Sequence, residues 1–259
     1  MDTDQIDAYL ARIGAARPAR PDADRLRELQ RAHLFAVPFE NLSIHLNEPI
    51  QLDEESLLDK IVTRRRGGFC YELNGAFAAL LTALGFPVAM LSGRVHGRGR
   101  FGPPFDHLGL RVELAEPWFV DVGYGAFSHH PLRLDVHAEQ RNPGGVFQVE
   151  TTGPGDIEVA KDGRVECRFE SRPYELVDFI PTCWWHQSSP ESHFTKTLTC
   201  SLPTETGRVT LSGDRLIKTA TGERSEQILD GDADVLAAYR DHFGVILDRP
   251  PALPAPAAH

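Results

Sequence analysis

Residues 64–74 read RRRGGFCYELN, and the two glycines divide a basic run from the start of an apolar helix. Behind Cys70, the residues Leu73, Phe77, Leu80, Leu81 and Leu84 recur at helical spacing, and Gly85 with Pro87 ends the pattern. This spacing predicts a buried helix over about 70–84 with a thiol in its first turn. The positive end of the helix dipole favours thiolate there. The adjacent glycines allow other groups close to the sulfur. The free N–H groups of the first turn, such as that of Tyr71, face a developing oxyanion. The other reading of such a cysteine is a buried, inert thiol, and the helix start alone does not choose between them.

Upstream, residues 1–90 read as mainly helical. Ile6, Tyr9, Leu10 and Ile13 form one face ending near Gly14. Asp22 or Asp24 caps a second helix that carries Leu26, Leu29, His33 and Leu34 and stops near Ala36, before Pro38. Residues 37–42 read as a turn or loop, and Leu57, Leu58 and Ile61 give a short apolar face. Downstream the period changes to two. Leu108, Leu110, Val112 and Leu114 alternate with Gly109, Arg111 and Glu113, residues 115–117 turn, and Trp118 to Val122 is the returning strand. Further strands are expected around 146–151, 156–160, 164–170 and 196–202, which suggests a small barrel or sandwich. A hairpin follows over 208–219 with its turn at Gly213-Asp214, then a helix over about 233–242. A tail with Pro250, Pro251, Pro254 and Pro256 closes the chain and is expected to be poorly ordered.

His107 opens the alternating strand, and Asp121 lies on the next one. A short turn makes them candidate neighbours across a hairpin. A histidine beside a thiol serves as base and then as imidazolium partner, and a carboxylate fixes its tautomer. Cys70, His107 and Asp121 are therefore the candidate catalytic residues.

At these residues the sequence becomes recognisable. RRRGGFCYELN closely resembles the RGGxCxEhN motif of the arylamine N-acetyltransferases. VPFENL at 37–42, the histidine motif at 105–108, FVDVGYG at 119–125, SHFT at 192–195 and GRVTL at 207–211 resemble the same family's other landmarks, in order and over nearly the full length. The resemblance implies an α+β fold in three parts: a helical bundle with the nucleophile (1–87), a β-barrel with His107 and Asp121 (88–190), and a C-terminal α/β lid with the proline-rich tail (191–259). It implies ping-pong transfer of acetyl from acetyl-CoA, through a Cys70 thioester, to an arylamine or hydrazine. It also implies that Phe39, Phe69, Tyr124 and Phe194 line the acceptor pocket, where aromatic faces stack on a flat amine. An amide synthase that closes a macrolactam on a carrier-bound polyketide shares these motifs and is the alternative. A thiol hydrolase and a binding module with an idle cysteine are the remaining readings.

The sequence also departs from the family pattern. Asp106 precedes the histidine and adds negative charge near the cofactor entrance. Tyr124 adds a hydroxyl to the pocket. His129-His130 reads as an exposed loop. Arg64 or Arg66 is expected to pair with Glu72 or another carboxylate and brace the cysteine loop. Arg94, Arg98 and Arg100 are candidates for a pyrophosphate contact.

Composition limits the rest. With 41% hydrophobic and 25% charged residues the chain is expected to fold. A formal net charge of −10 argues against general nucleic-acid or anionic-membrane binding. Cys70, Cys167, Cys183 and Cys200 form no CxxC pair, so no metal site is expected. The acidic start, with Asp2, Asp4 and Asp7, lacks the basic and apolar regions of a signal peptide, and no apolar stretch is long enough to span a membrane. A cytoplasmic protein is the expectation.

Overall fold

The computed structural model of the chain describes residues 1–97, 99–153 and 155–253. Arg98, and Pro254 and Pro256 of the tail, lie outside them. Helix α1 (Thr3–Ile13) starts on a capping box in which the Asp2 and Gln5 side chains each accept the other's backbone N–H, and it stops at Gly14 with φ 68°. Helix α2 (Ala23–Ala36) is capped by Asp22, whose carboxylate accepts the Arg25 N–H. Of the two candidate caps, Asp22 is the one used. The expected loop at 37–42 contains a two-residue strand, β1 (Phe39–Glu40), and then the short helix α3 (Leu42–Leu46) begins. Helix α4 (Glu54–Leu58) runs on as a π-helical turn over Asp59–Thr63.

Helix α5 (Cys70–Ala83) is buried on nearly every side, as an apolar helix at the centre of a core must be. Leu73, Phe77, Leu80 and Leu81 pack among α1, α2 and the outer face of the following sheet. That sheet holds β2 (Val88–Gly97), β3 (Arg100–Phe101), β4 (His107–Glu113), β5 (Pro117–Val120), β6 (Leu132–Arg133), β7 (Gln140–Asn142), β8 (Gly145–Thr152), β9 (Asp156–Lys161) and β10 (Arg164–Phe169). Its order is β6-β5-β4-β2-β10-β9-β8-β7, with β3 added beside β2, and its pairs are antiparallel. The far edge curls back until β6 meets β8, so barrel and sandwich resolve as one nearly closed barrel-like sheet. Alternation divides its faces. Leu108, Leu110 and Val112 point out to α5, while Phe119, Phe147, Val159 and Phe169 fill the interior.

A 3-10 turn over Leu176–Phe179 leads into α6 (Ile180–Ser188) and α7 (His193–Lys196). The strand expected at 196–202 begins only at Cys200, because Ser192 caps α7 and holds 193–196 in a helix. A second sheet follows with order β1-β11-β12-β13-β14, built from β11 (Cys200–Thr204), β12 (Gly207–Ser212), β13 (Arg215–Ala220) and β14 (Glu223–Ile228). The hairpin at 208–219 forms as expected and gains β14 as a further strand. Helix α8 (Gly231–Phe243) lays Val235, Ala238, Tyr239 and Phe243 on this sheet. The fold is α+β. Among the described residues no helix is long and apolar enough to cross a membrane.

Candidate active site

The cysteine loop is held from below by charge. Arg66, 2% exposed, pairs with Glu40 at 2.9 Å and with Glu48 at 3.2 Å. Lys60, brought beneath the loop by the π-helical turn, pairs with Glu72 at 2.6 Å. The brace expected for the basic run is therefore made, but to Glu40 and Glu48, while Glu72 is taken by Lys60. Burial alone would raise the Glu40 carboxyl. Lys60, Arg66 and the Leu42 N–H overcome that and hold it below the usual carboxylate range. Above the loop the two glycines have separate reasons. A Cβ at Gly67 would lie 1.9 Å from the Pro38 carbonyl oxygen, and one at Gly68 would lie 2.7 Å from Glu72. Their absence lets the loop lie along β1, where the Glu40 N–H donates to the Gly68 carbonyl at 2.8 Å. Glu72 then accepts the Phe69 N–H at 3.1 Å, which starts α5 at Cys70.

The β4–β5 register pairs Leu110 with Val120. One step further sets Asp121 across from Gly109, and His107, two residues along β4, shares its face. His107 Nε2 lies 2.6 Å from Asp121 Oδ2, with both side chains buried. The other Asp121 oxygen accepts from the Asn74 amide and from the Gly123 N–H, each at 2.8 Å. Asn74 also donates to the Leu108 carbonyl at 2.6 Å and accepts the Val122 N–H at 2.9 Å. Asn74 thus ties α5 to both strands of the hairpin. It stands four residues after Cys70, on the same helix face, and that spacing was the signal by which it could have been singled out.

Gly123 closes the site. A Cβ there would lie 2.6 Å from Cys70 Cα and 2.8 Å from the Asn74 amide nitrogen. The Gly123→Ala variant is expected to push the end of the hairpin off α5. Turnover should fall by about tenfold to a hundredfold, the scale set by ångström misplacement of reacting groups. Steady-state kinetics beside a thermal melt will separate this from simple unfolding, for which the melt should move by only a few degrees.

Burial pushes the Cys70 thiol well up, a hydrogen bond from the Leu108 backbone opposes this, and the charges of Asp121 and Asp106 add to it. Burial therefore opposes the ionisation that the helix dipole favours. Desolvation is the larger effect. With Nε2 of His107 engaged by Asp121, Nδ1 is the ring nitrogen left to accept or donate elsewhere.

Cys70 and His107 open on one cavity of about 1110 Å³. Phe39, Tyr124 and Phe194 line it too. Phe69 does not. As the residue preceding α5 it turns inward, is fully buried, and stacks edge-on behind Phe194 at 5.3 Å. The Tyr124 hydroxyl is spent on Glu166, donating at 3.0 Å, so the residue offers the cavity its ring. Asp106 and Arg100 line the cavity, while Arg94 faces a separate surface cleft. His129 and His130 are half-buried rather than fully exposed, and His129 packs edge-on against Phe35 at 5.4 Å. The four cysteines are free and buried. Among the described residues no cluster of three or more His, Cys, Asp or Glu side chains is placed to hold a metal.

A helix-start cysteine and a hydrogen-bonded histidine–aspartate pair that open on one cavity are an arrangement suited to nucleophilic group transfer. Comparison with known proteins narrows the class. A family profile described as N-acetyltransferase matches residues 22–252. The arylamine N-acetyltransferase of Mycolicibacterium smegmatis is 34% identical over 254 residues, covering 93% of this chain and 92% of that one. The solved structure of the Salmonella typhimurium arylamine N-acetyltransferase superposes with a TM-score of 0.87 at 30% identity, covering 95% and 92% of the two chains. That of the Mycobacterium marinum enzyme in complex with CoA gives 0.83 at 30%, covering 93% and 92%. The chain belongs to the arylamine N-acetyltransferase family, and its members are acyltransferases.

Proposed function

We propose that the protein transfers acetyl from acetyl-CoA to an arylamine or hydrazine, with Cys70 as nucleophile, His107 as base and acid, and Asp121 as the group that orients His107. The observation that carries this reading is the 2.6 Å His107–Asp121 pair opening with Cys70 on one cavity. His107 Nδ1 takes the thiol proton as sulfur attacks the acetyl carbonyl, and backbone N–H groups of the first α5 turn receive the oxyanion. CoA leaves as its thiol, carrying that proton away from His107. The amine then attacks the Cys70 thioester, its proton passes to His107 and on to the departing Cys70 sulfur, and the amide is released.

Thioester exchange between two thiols is nearly isoenergetic, so the first half needs no further driving force. A weakly basic aromatic amine is neutral at pH 7, so His107 removes its proton only as the bond forms. Phe39, Tyr124 and Phe194 give the flat acceptor its stacking faces. The CoA complex of the Mycobacterium marinum relative supports the choice of donor.

The test is mass spectrometry of the protein after incubation with acetyl-CoA and no amine. One acetyl group is expected, confined to the peptide containing Cys70 and discharged on adding aniline. Acetylation elsewhere, or none, would overturn the assignment.

A further inference from the structure

The cavity holds a second histidine–carboxylate pair that the acyl transfer does not use. His186, on α6 and 5% exposed, sets Nε2 3.2 Å from Asp106 Oδ1, and both residues line the cavity with Cys70. Asp106 is rigidly held. The preceding residue, Phe105, has φ 61°, in the left-handed region that a bulky residue rarely adopts, and its carbonyl accepts the Tyr71 hydroxyl at 2.7 Å. Asp106 Oδ2 accepts the Val95 N–H at 3.3 Å, leaving Oδ1 turned to His186.

The Ser192 hydroxyl can donate to the His186 carbonyl at 3.0 Å and accepts the Phe194 N–H at 3.1 Å. The same oxygen lies 3.3 Å from His186 Nδ1, and either of the two can be the donor there, because the hydroxyl rotates. Nε2 is buried and lies 3.2 Å from the Asp106 carboxylate. The two atoms are close but are not joined by a well-aligned hydrogen bond. A buried polar atom left in this way is costly, and an incoming O–H or N–H removes the cost.

We infer that Asp106 and His186 form a specificity pair for the acceptor, receiving a hydroxyl or second amino group carried on its ring. The inference rests on the acyl-transfer reading above and deepens it. The reacting amine is directed to the Cys70 thioester, so the group met by Asp106 and His186 is a substituent. A carboxylate substituent would meet Asp106 with like charge and is disfavoured.

The experiment measures how fast acetylated Cys70 is discharged by aniline, by the three aminophenols and by 4-aminobenzoate, in the parent and in the Asp106→Asn and His186→Phe variants. Comparing each aminophenol with aniline inside one protein, and that ratio between proteins, cancels the intrinsic reactivity of the amines. For the best aminophenol the ratio is expected to fall by about tenfold in both variants, the scale of one hydrogen bond to a charged group. An unchanged ratio overturns the inference. So does a change confined to the acetylation of Cys70 by acetyl-CoA, which would assign the pair to the amide N–H groups of the donor's pantetheine arm. A readout independent of variant folding is the imidazole 15N spectrum of the parent titrated with phenol. Movement of the His186 Nε2 signal is expected, and its absence counts against the subsite. Failure of acetyl-CoA to acetylate Cys70 at all would instead sink the acyl-transfer reading, and the phenol titration would still decide on the pair.

Discussion

Replacing Cys70 with alanine is expected to lower acetyl transfer by at least about 10⁴-fold, the scale of losing a covalent nucleophile, while leaving the fold in place. The two effects separate because Cys70 is one small member of the large core cluster that buries α5. Leu73, Phe77, Leu80 and Leu81 carry that packing, and alanine is the better helix former. No other thiol is placed to take over. Cys167, Cys183 and Cys200 are buried, burial pushes each of their thiols up, and none lines the cavity with His107. Cys70→Ser should be nearly as inactive. Burial pushes the thiol up, and a hydroxyl in the same place ionises far less readily. Circular dichroism and a thermal melt should match the parent for both variants. Transfer at the parental rate in either of them, or acetyl found on a different cysteine, would remove the thioester mechanism.

How much of this was legible depends on the distance over which each feature is encoded. Helix α5 could be read because Leu73, Phe77, Leu80, Leu81 and Leu84 lie within a few turns of one another. The β4–β5 hairpin could be read because its alternation and turn are local. Asn74 stood in the motif, yet its clamp on Asp121 involves residues 47 apart. The Lys60–Glu72 and Arg66–Glu40 pairs and the Asp106–His186 pair join segments that share no periodic signal. Strand β14 leaves no signal in the sequence, because all six of its residues are exposed and no apolar alternation marks it. Phe69 went to the core because the residue before a helix takes its direction from the entering chain rather than from the helical face. The Cys70 thiol shows the same division. The dipole favouring its ionisation is a local property of the helix start, whereas the burial opposing it depends on the barrel and the C-terminal segment.

Asp121→Asn is the second large effect expected, about 10³- to 10⁴-fold on the acetylation step, and hydrogen-bond bookkeeping gives the reason. The parent carboxylate accepts on both oxygens, from His107 on one side and from Asn74 and Gly123 on the other. The substituted amide has one oxygen and one NH₂ group. With its oxygen toward Asn74 and Gly123, two good bonds survive and the NH₂ faces His107 Nε2. With the amide reversed, the NH₂ group meets two donors instead. The first arrangement is favoured, and it forces His107 to accept at Nε2 and carry its proton on Nδ1, the nitrogen that has to take the thiol proton. The fold should survive, because the buried shape and two of the three bonds are kept. Charge acts in two directions. The Asp121 carboxylate repels a Cys70 thiolate, so its removal by itself would ease ionisation. The same carboxylate attracts the His107 imidazolium from 2.6 Å, and attraction across a direct hydrogen bond outweighs repulsion from farther away. Loss of the imidazolium partner therefore dominates, and alkylation of Cys70 by iodoacetamide should move to higher pH in the variant. Acetylation of Cys70 at the parental rate, measured by quenched-flow mass spectrometry, or an alkylation profile shifted to lower pH, would show that Asp121 does not orient the base.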